Sequence, residues 1–332
     1  MAKITEYMTV LHKKLVEERK VADSTATQYI KTLYKLNNST PFKNLAFLKN
    51  KDAIESKLKE YAESTQKSLM SNIVSALSLY KDASSYKKIY AYWFNRMMER
   101  VKSDQEKPDD HQKSSKQEDN WLSWEVVKGH QDALKKEVQE FENKGEITSK
   151  EWDSLLNYML LSLYVEMPPR RNQDYQFLKV SRKNPLDDEF NYIVLDDGNF
   201  VFNKYKTKKT HGKLTFPIPP TLQPILRTYL HFHPLFLTKG KNAGKPVHFL
   251  VDFEGNPFGS VNAITRLLNK IFGKRVGSTM LRHIYLSDKY DVNEMENDAE
   301  KMSHSADVQR NYMKKVQKVQ IPTYNDEEDE EE

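Results

Sequence analysis

One stretch of the chain contains no apolar residue at all. Residues 103–119 read SDQEKPDDHQKSSKQED, which predicts an exposed and mobile linker between two domains. A chain of 332 residues is long enough for two domains. We therefore expect a first domain at 1–102, a linker at 103–119, a second domain at 120–324 and a disordered acidic tail at 325–332.

The charge of the chain is unevenly distributed. The formal net charge is +5, but the last eight residues hold seven acids. The rest of the chain therefore has 52 basic against 40 acidic residues, a net charge of +12. A basic body favours binding to a polyanion, above all nucleic acid, although a lysine-rich surface can also serve solubility alone.

Composition excludes several functional classes. The absence of cysteine excludes disulfides, thiolate catalysis and zinc sites built from cysteine. The sequence has no run of 18 apolar residues, so we expect no membrane span. The first residues, MAKITEYMTVLHKK, lack the apolar block of a signal peptide, which favours an intracellular protein.

Apolar spacing predicts a mainly α-helical fold with one small antiparallel β-sheet. In the first domain it predicts helices near 1–20, 25–36, 52–62, 65–81 and 86–97, with Thr25-x-x-Gln28 as a capping box. In the second domain a capping box at Thr148-x-x-Glu151 begins a strongly apolar helix, and Pro168-Pro169 ends it. Strand-like runs follow at 176–181, 190–196, 199–206 and 213–218. The last two flank KKTHG and predict a hairpin with a basic tip. Beyond Pro220, helices are expected near 260–272, 278–287, 293–302 and 305–317.

The second domain carries residues suited to phosphate chemistry in a definite order. They are Arg171 followed by Asp174, the hairpin lysines Lys206, Lys208 and Lys209, Arg282 followed by His283, His304 in Met-Ser-His-Ser, and Tyr312. Arginine binds two phosphate oxygens through its planar fork, histidine exchanges a proton near neutral pH, and tyrosine can form a covalent ester. Each of these residues alone is as readily structural as functional.

In this order and near this spacing, the motifs resemble those of the tyrosine recombinases, the phage-integrase family. The resemblance covers the whole second domain, and the helical domain and linker before it match the family's two-domain plan. The run PPRR at 168–171 and the richness in Lys, Asn and Tyr are most similar to integrases of virophages and large DNA viruses. The resemblance implies a helical core-binding domain, an α+β catalytic domain and no cofactor. It also implies duplex DNA as partner, a homotetramer on DNA, and a DNA-associated location such as a host nucleus or viral replication site.

Roles for individual residues follow from the resemblance by position. It implies Arg171 and Arg282 as the catalytic arginines, Asp174 as the support of Arg171, Lys206 as the mobile lysine, His304 as the histidine and Tyr312 as the nucleophile. His283 stands beside Arg282 as a supporting residue. Arg170 is expected to contact a flanking phosphate or to pack, and Lys208 and Lys209 are alternatives to Lys206 or a clamp on the DNA backbone.

The sequence departs from the family pattern at two places. Thr279 stands where the family often has histidine or lysine, three residues before Arg282. Threonine can hydrogen-bond a phosphate oxygen, but it cannot accept a proton at pH 7. The step from His304 to Tyr312 is also one residue shorter than the common pattern, and Tyr324 is the only tyrosine further along.

The expected function is therefore site-specific recombination or integration through a 3′-phosphotyrosyl intermediate, without metal or ATP. Two alternatives remain open at this point. One is DNA relaxation of the type IB topoisomerase kind, which uses a similar residue set. The other is a DNA-binding protein of the same fold that has lost catalysis, for which Thr279 is the suggestive change.

Overall fold

The chain divides into two compact units, residues 1–109 and 110–332. In this computed structural model the described residues are 4–106, 113–185, 187–236, 239, 243–289, 298 and 301–302. The division between the units falls inside the predicted linker, 103–119. That linker is narrower than predicted, because helices occupy part of it at both ends.

The described part of the first unit is helical, as apolar spacing predicts. Its helices are α1 (Glu6–Glu17), α2 (Asp23–Leu36), α3 (Lys51–Lys59), α4 (Glu63–Leu77) and α5 (Ser84–Glu106). Trp93 lies at the centre of its core, fully buried, and its indole N–H donates to the carbonyl of Leu48 at 3.1 Å. The capping box predicted at Thr25 is wrong, because α2 begins two residues earlier with Ala22 at its N-cap.

The second unit combines helices with one sheet. Its helices are α6 (Ser115–Asn120), α7 (Trp124–Gln139), α8 (Ser149–Val165), α9 (Asn172–Gln176), α10 (Lys208–His211), α11 (Leu222–Phe232), α12 (Val261–Phe272) and α13 (Ser278–Asp288). The capping box predicted at Thr148 and Glu151 is confirmed, with both reciprocal hydrogen bonds present. In the part of the chain that the structure describes, no helix has the length and apolarity to cross a bilayer.

The sheet is mixed rather than antiparallel, which corrects the prediction. Its strands are β1 (Leu178–Ser181), β2 (Asn191–Val194), β3 (Asn199–Phe202), β4 (Leu214–Pro217) and β5 (Val247–His248), in the order β4-β3-β2-β1-β5. The β1–β2 pair is parallel and the other pairs are antiparallel. Pairing direction depends on where the chain between two strands runs, and the alternation of residues within each strand does not record that path.

The predicted hairpin is present between β3 and β4, but its strands are shorter than expected. The connection spans 203–213 and contains the one-turn helix α10. The inner face of the sheet, with Phe200 and Phe202, joins Trp152 of α8 in the main apolar core of the unit. This core holds α9 and the start of β1 in place, and α9 carries Asp174.

A buried histidine stabilises the same core in its neutral form. The Nδ1 atom of His233 accepts hydrogen bonds from the backbone N–H groups of Leu235 and Phe236, both at 3.2 Å. Its Nε2 atom therefore carries the proton and donates to the carbonyl of Phe249 at 3.0 Å. Burial lowers the pKa of His233 from 6.5 to about 4.

We expect His233 to make the second unit less stable in mild acid. Between pH 6.5 and about 4 the unfolded chain binds a proton that the folded imidazole does not, so the free energy of unfolding falls as pH falls through this window. At pH 5 the loss from this residue is about 2 kcal/mol. Urea unfolding of the wild type and of His233→Asn at pH 7.5 and pH 5 measures it. If the difference in free energy of unfolding between wild type and His233→Asn is the same at both pH values, His233 is not the source of the acid sensitivity.

Candidate active site

The site is built on the segment that follows α8. Pro168 and Pro169 cannot continue a helix, and the backbone is extended at Arg171 (φ −72°, ψ 144°) before α9 begins at Asn172. Neighbouring side chains in extended backbone point in opposite directions. Arg170 is accordingly fully buried, whereas the side chain of Arg171 is partly exposed.

Arg170 is bound on three sides within the second unit. Its Nε donates to Oδ2 of Asp174 at 3.0 Å, and both side chains are fully buried. Its Nη1 donates to the backbone carbonyl of Lys301. Its Cζ lies 3.8 Å from the centre of the Phe202 ring, so the guanidinium cation makes a favourable cation–π contact with the face of the ring.

The charges of three arginines act on the buried carboxyl of Asp174. Burial raises the pKa of its carboxyl above the ordinary value, and the positive charges of Arg170, Arg171 and Arg282 each act in the opposite direction. No hydrogen bond reaches its Oδ1 atom from the residues that the structure describes. Arg171 and Arg282 are separated by more than a hundred residues of sequence, yet both lie close enough to act on the same carboxylate.

This arrangement corrects one detail of the sequence interpretation. Asp174 was expected to support Arg171, but its hydrogen-bonded ion pair is with Arg170. Of the two roles left open for Arg170, packing is the one that its contacts with Asp174, Phe202 and Lys301 favour. The Nη1 atom of Arg171 is buried and receives no hydrogen-bond partner from the described residues.

Arg282 enters the site from α13. Leu281 and Ile284 of that helix belong to the main core, and Arg282 itself is 3% exposed. Thr279 stands three residues earlier, on the same side of the helix, and is exposed. His283, the supporting residue expected next to Arg282, is half-buried.

Hydrogen bonds fix α9 against the neighbouring helices. The side-chain amide of Asn172 donates to Oγ1 of Thr265 in α12 at 2.9 Å and accepts from the hydroxyl of Tyr164 in α8 at 2.6 Å. The hydroxyl of Tyr175 donates to the carbonyl of Leu163 at 3.1 Å. These contacts set the position of α9, and with it that of Asp174, relative to α8 and α12.

Asn191 links the site to the loop after β3, a role that sequence reasoning did not identify. Its Nδ2 donates to the carbonyls of Asp174 and Lys204, both at 2.8 Å. Its Oδ1 accepts from the N–H groups of Asn203 at 2.8 Å and Lys204 at 2.7 Å. A lone asparagine at the start of a strand has no recognisable spacing; its burial and its four hydrogen bonds to three residues become evident only in the fold.

The hairpin lysines differ in how closely they adjoin the site. Lys206 is exposed and follows Tyr205, whose ring centre lies 5.6 Å from Cζ of Arg170. The Tyr205 hydroxyl donates to the carbonyl of Gly212 at 2.5 Å and closes the base of the loop. Lys208 pairs with Asp188 at 3.6 Å, an exposed contact of little energetic weight, and Lys209 is exposed on α10.

Two predicted site residues, His304 and Tyr312, lie outside the described residues. The described position closest to them in sequence is Met302, which is 1% exposed and packs with Tyr285 and Leu286 of α13. Asp298 accepts a hydrogen bond from the Tyr285 hydroxyl at 2.7 Å. The predicted helix at 293–302 is described only at three positions, and the one at 305–317 at none.

The charges of Arg171 and Arg282 thus both act on Asp174, and Lys206 lies on the loop that Asn191 links to the backbone of Asp174. The described residues hold no group of three His, Asp or Glu side chains suited to a metal ion. Comparison with protein-family models, with curated proteins and with solved structures finds no match to this chain.

Proposed function

We propose that the protein is a tyrosine recombinase that cuts and rejoins duplex DNA through a covalent 3′-phosphotyrosyl intermediate. The observation that carries the proposal is that the positive charges of Arg171 and Arg282, from distant parts of the chain, both act on the buried Asp174. Two guanidinium groups held in this way can clamp the non-bridging oxygens of one phosphate as negative charge builds up on them. The net charge of the chain without its acidic tail supports a polyanionic substrate.

The reaction assigns a task to each residue of the set. The Tyr312 oxygen attacks phosphorus and its proton passes to His304 or to water. The bond from phosphorus to the 5′ oxygen breaks, and Lys206 donates a proton to that oxygen, a role that arginine cannot fill because it holds its proton too tightly. Attack by a 5′ hydroxyl of another strand reverses these steps, so the phosphodiester is restored without ATP or metal.

Thr279 is placed to assist rather than to exchange protons. It is exposed on the first turn of α13 and on the same side as Arg282. Its hydroxyl can donate a hydrogen bond to a phosphate oxygen held by that arginine. In the assembled state we propose four copies on DNA, as the resemblance implies, with the first unit contributing contacts to the DNA backbone.

Covalent trapping tests the proposal. The full-length protein is incubated with a library of nicked duplexes of randomised sequence, in which the cleaved strand loses a short fragment and cannot rejoin. We expect an adduct with a subset of sequences that survives detergent and is destroyed by protease. Tyr312→Phe is expected to abolish it, because phenylalanine has no oxygen to form the ester.

Tyr324→Phe is the matched control and is expected to form the adduct at the wild-type rate. Persistence of the adduct in Tyr312→Phe would show that another residue is the nucleophile. Adducts with every member of the library, together with relaxation of supercoiled DNA, would favour the topoisomerase alternative. Binding of DNA by the wild type without any adduct would favour the inactive DNA-binding alternative.

A further inference from the structure

Arg170 connects three segments of the second unit that are far apart in sequence. Its guanidinium donates to Asp174 on α9, stacks on Phe202 of β3 and donates to the carbonyl of Lys301. Its side chain is fully buried; the bond to Asp174 is buried as well, and the bond to Lys301 is partly buried. The third contact spans 131 residues of sequence.

The far end of this connection is a short segment attached at several points. Met302 is buried against Tyr285 and Leu286 of α13. Asp298 accepts from the Tyr285 hydroxyl at 2.7 Å and lies 3.3 Å from the ammonium groups of Lys289 and Lys301. The contacts at Asp298 and Met302 attach the segment to α13, whereas the bond from Arg170 attaches it to the arginine cluster.

We propose that Arg170 is a positioning residue, which holds the chain at Lys301–Met302 against the cluster of Asp174, Arg171 and Arg282. This inference rests on the proposed function, because the same chain continues within ten residues to His304 and Tyr312. The proposed function requires both residues to reach the phosphate, so holding Lys301–Met302 limits the length of chain available to them. Arg170 itself does not touch the substrate.

The chemistry of the position explains why an arginine is needed. The planar guanidinium offers donors in divergent directions, so one group can serve a carboxylate on one side and a backbone carbonyl on the other. A lysine ammonium keeps the charge opposite Asp174 but lacks that fixed fork. Methionine fills similar space beside Phe202 and donates no hydrogen bond.

Limited trypsin digestion of the full-length protein tests the contact directly. Cleavage after Lys301 requires local opening, because the carbonyl of Lys301 is hydrogen-bonded and Met302 is buried. In Arg170→Met we expect cleavage after Lys301 to rise roughly tenfold more than cleavage after Lys179, the factor that corresponds to the loss of one hydrogen bond to a charged group. The loss of the counter-charge of Asp174 destabilises the whole unit and accelerates cleavage at both sites. Cleavage after Lys179, in the middle of the sheet, reports unfolding of the whole unit in the same sample.

Arg170→Lys keeps the inference testable if the methionine variant does not fold. We expect it to accelerate cleavage after Lys301 by less than Arg170→Met does, without change at Lys179. Arg227→Met, which removes an exposed arginine from α11, is the control and is expected to leave both sites unchanged. Equal acceleration at Lys301 and Lys179, or wild-type cleavage at Lys301 in Arg170→Lys, would overturn the positioning role.

A second readout separates positioning from simple stability. At saturating DNA the single-turnover rate of adduct formation is expected to fall roughly tenfold in Arg170→Lys, while DNA affinity stays at the wild-type value, because the residue holds the reacting segment and not the DNA. A loss of affinity with an unchanged rate would contradict the inference. If the wild type forms no adduct, the proposed function fails, and the digestion result still decides whether Arg170 holds the segment.

Discussion

Replacement of Asp174 by alanine is expected to lower the free energy of unfolding of the second unit by about 3–5 kcal/mol. The carboxylate is fully buried beside an equally buried Arg170, and the charges of Arg171 and Arg282 also act on it. Removing it leaves a buried guanidinium without its counter-charge, which costs far more than the net value of the pair. Urea or thermal unfolding of the full-length variant measures the loss.

The matched control removes an exposed carboxylate from the same unit. Asp153 is exposed on α8, and Asp153→Ala is expected to change the free energy of unfolding by less than about 0.5 kcal/mol. A second comparison combines Arg170→Met with Asp174→Leu. Because the double variant buries no unpaired charge at this pair, we expect it to lose less than the sum of its two single variants. If the free energy of unfolding of Asp174→Ala lies within about 1 kcal/mol of the wild-type value, the ion pair is not needed for the stability of the unit.

The sequence predicted helices well where the pattern contained the reason for the helix. The prediction of 260–272 agrees with α12 at Val261–Phe272, because its apolar stripe faces the core and Gly273 ends it in a left-handed conformation (φ 62°). The capping box at Thr148 likewise contains its own hydrogen-bond partners. Both signals are local, so no knowledge of the rest of the fold was needed.

Composition placed the division between the units, but it did not give the ends of the helices near it. The linker was predicted from the absence of apolar residues in 103–119, and the division lies within that range. Helix α5 nevertheless continues to Glu106, and α6 begins at Ser115 behind a capping box of Ser114 and Gln117. Polar residues can extend or cap a short helix without a buried face, so apolar content alone underestimates helix at such borders.

Features that depend on distant pairing were missed. Strand β5 has two residues, Val247 and His248, in a stretch for which no strand was predicted, and it exists because β1 offers it an edge. The ion-pair partner of Asp174 was equally out of reach. Both residues precede Asp174 at a spacing that suits an ion pair, and which of them points inward is decided by the extended backbone and the ring of Phe202.

Because Arg171 points away from the core, its replacement should affect the reaction more than the stability of the unit. Arg171→Ala is expected to slow adduct formation by roughly 100- to 1000-fold, the usual cost of removing one donor that stabilises charge in the transition state. Its side chain is partly exposed beside Asp174, so the loss of stability is expected to stay below about 1 kcal/mol. Single-turnover trapping at saturating DNA and urea unfolding of the same preparation measure the two quantities.

Loss of positive charge alone cannot account for the slower adduct formation expected of Arg171→Ala, and two further variants test this. Arg227→Ala removes the same unit of positive charge from an exposed position on α11 and is expected to weaken DNA binding slightly without slowing cleavage. Arg171→Lys keeps the charge but not the planar fork that engages two phosphate oxygens, so its rate should fall between alanine and wild type. A rate for Arg171→Ala within about threefold of wild type would remove Arg171 from the chemistry, since a group that clamps the reacting phosphate cannot be lost at so small a cost. Arg170 and Arg171 are adjacent in sequence, yet we expect local opening in the Arg170 variants and slow cleavage in the Arg171 variants. These opposite outcomes follow only if the backbone turns the Arg170 guanidinium into the core and the Arg171 guanidinium toward the DNA.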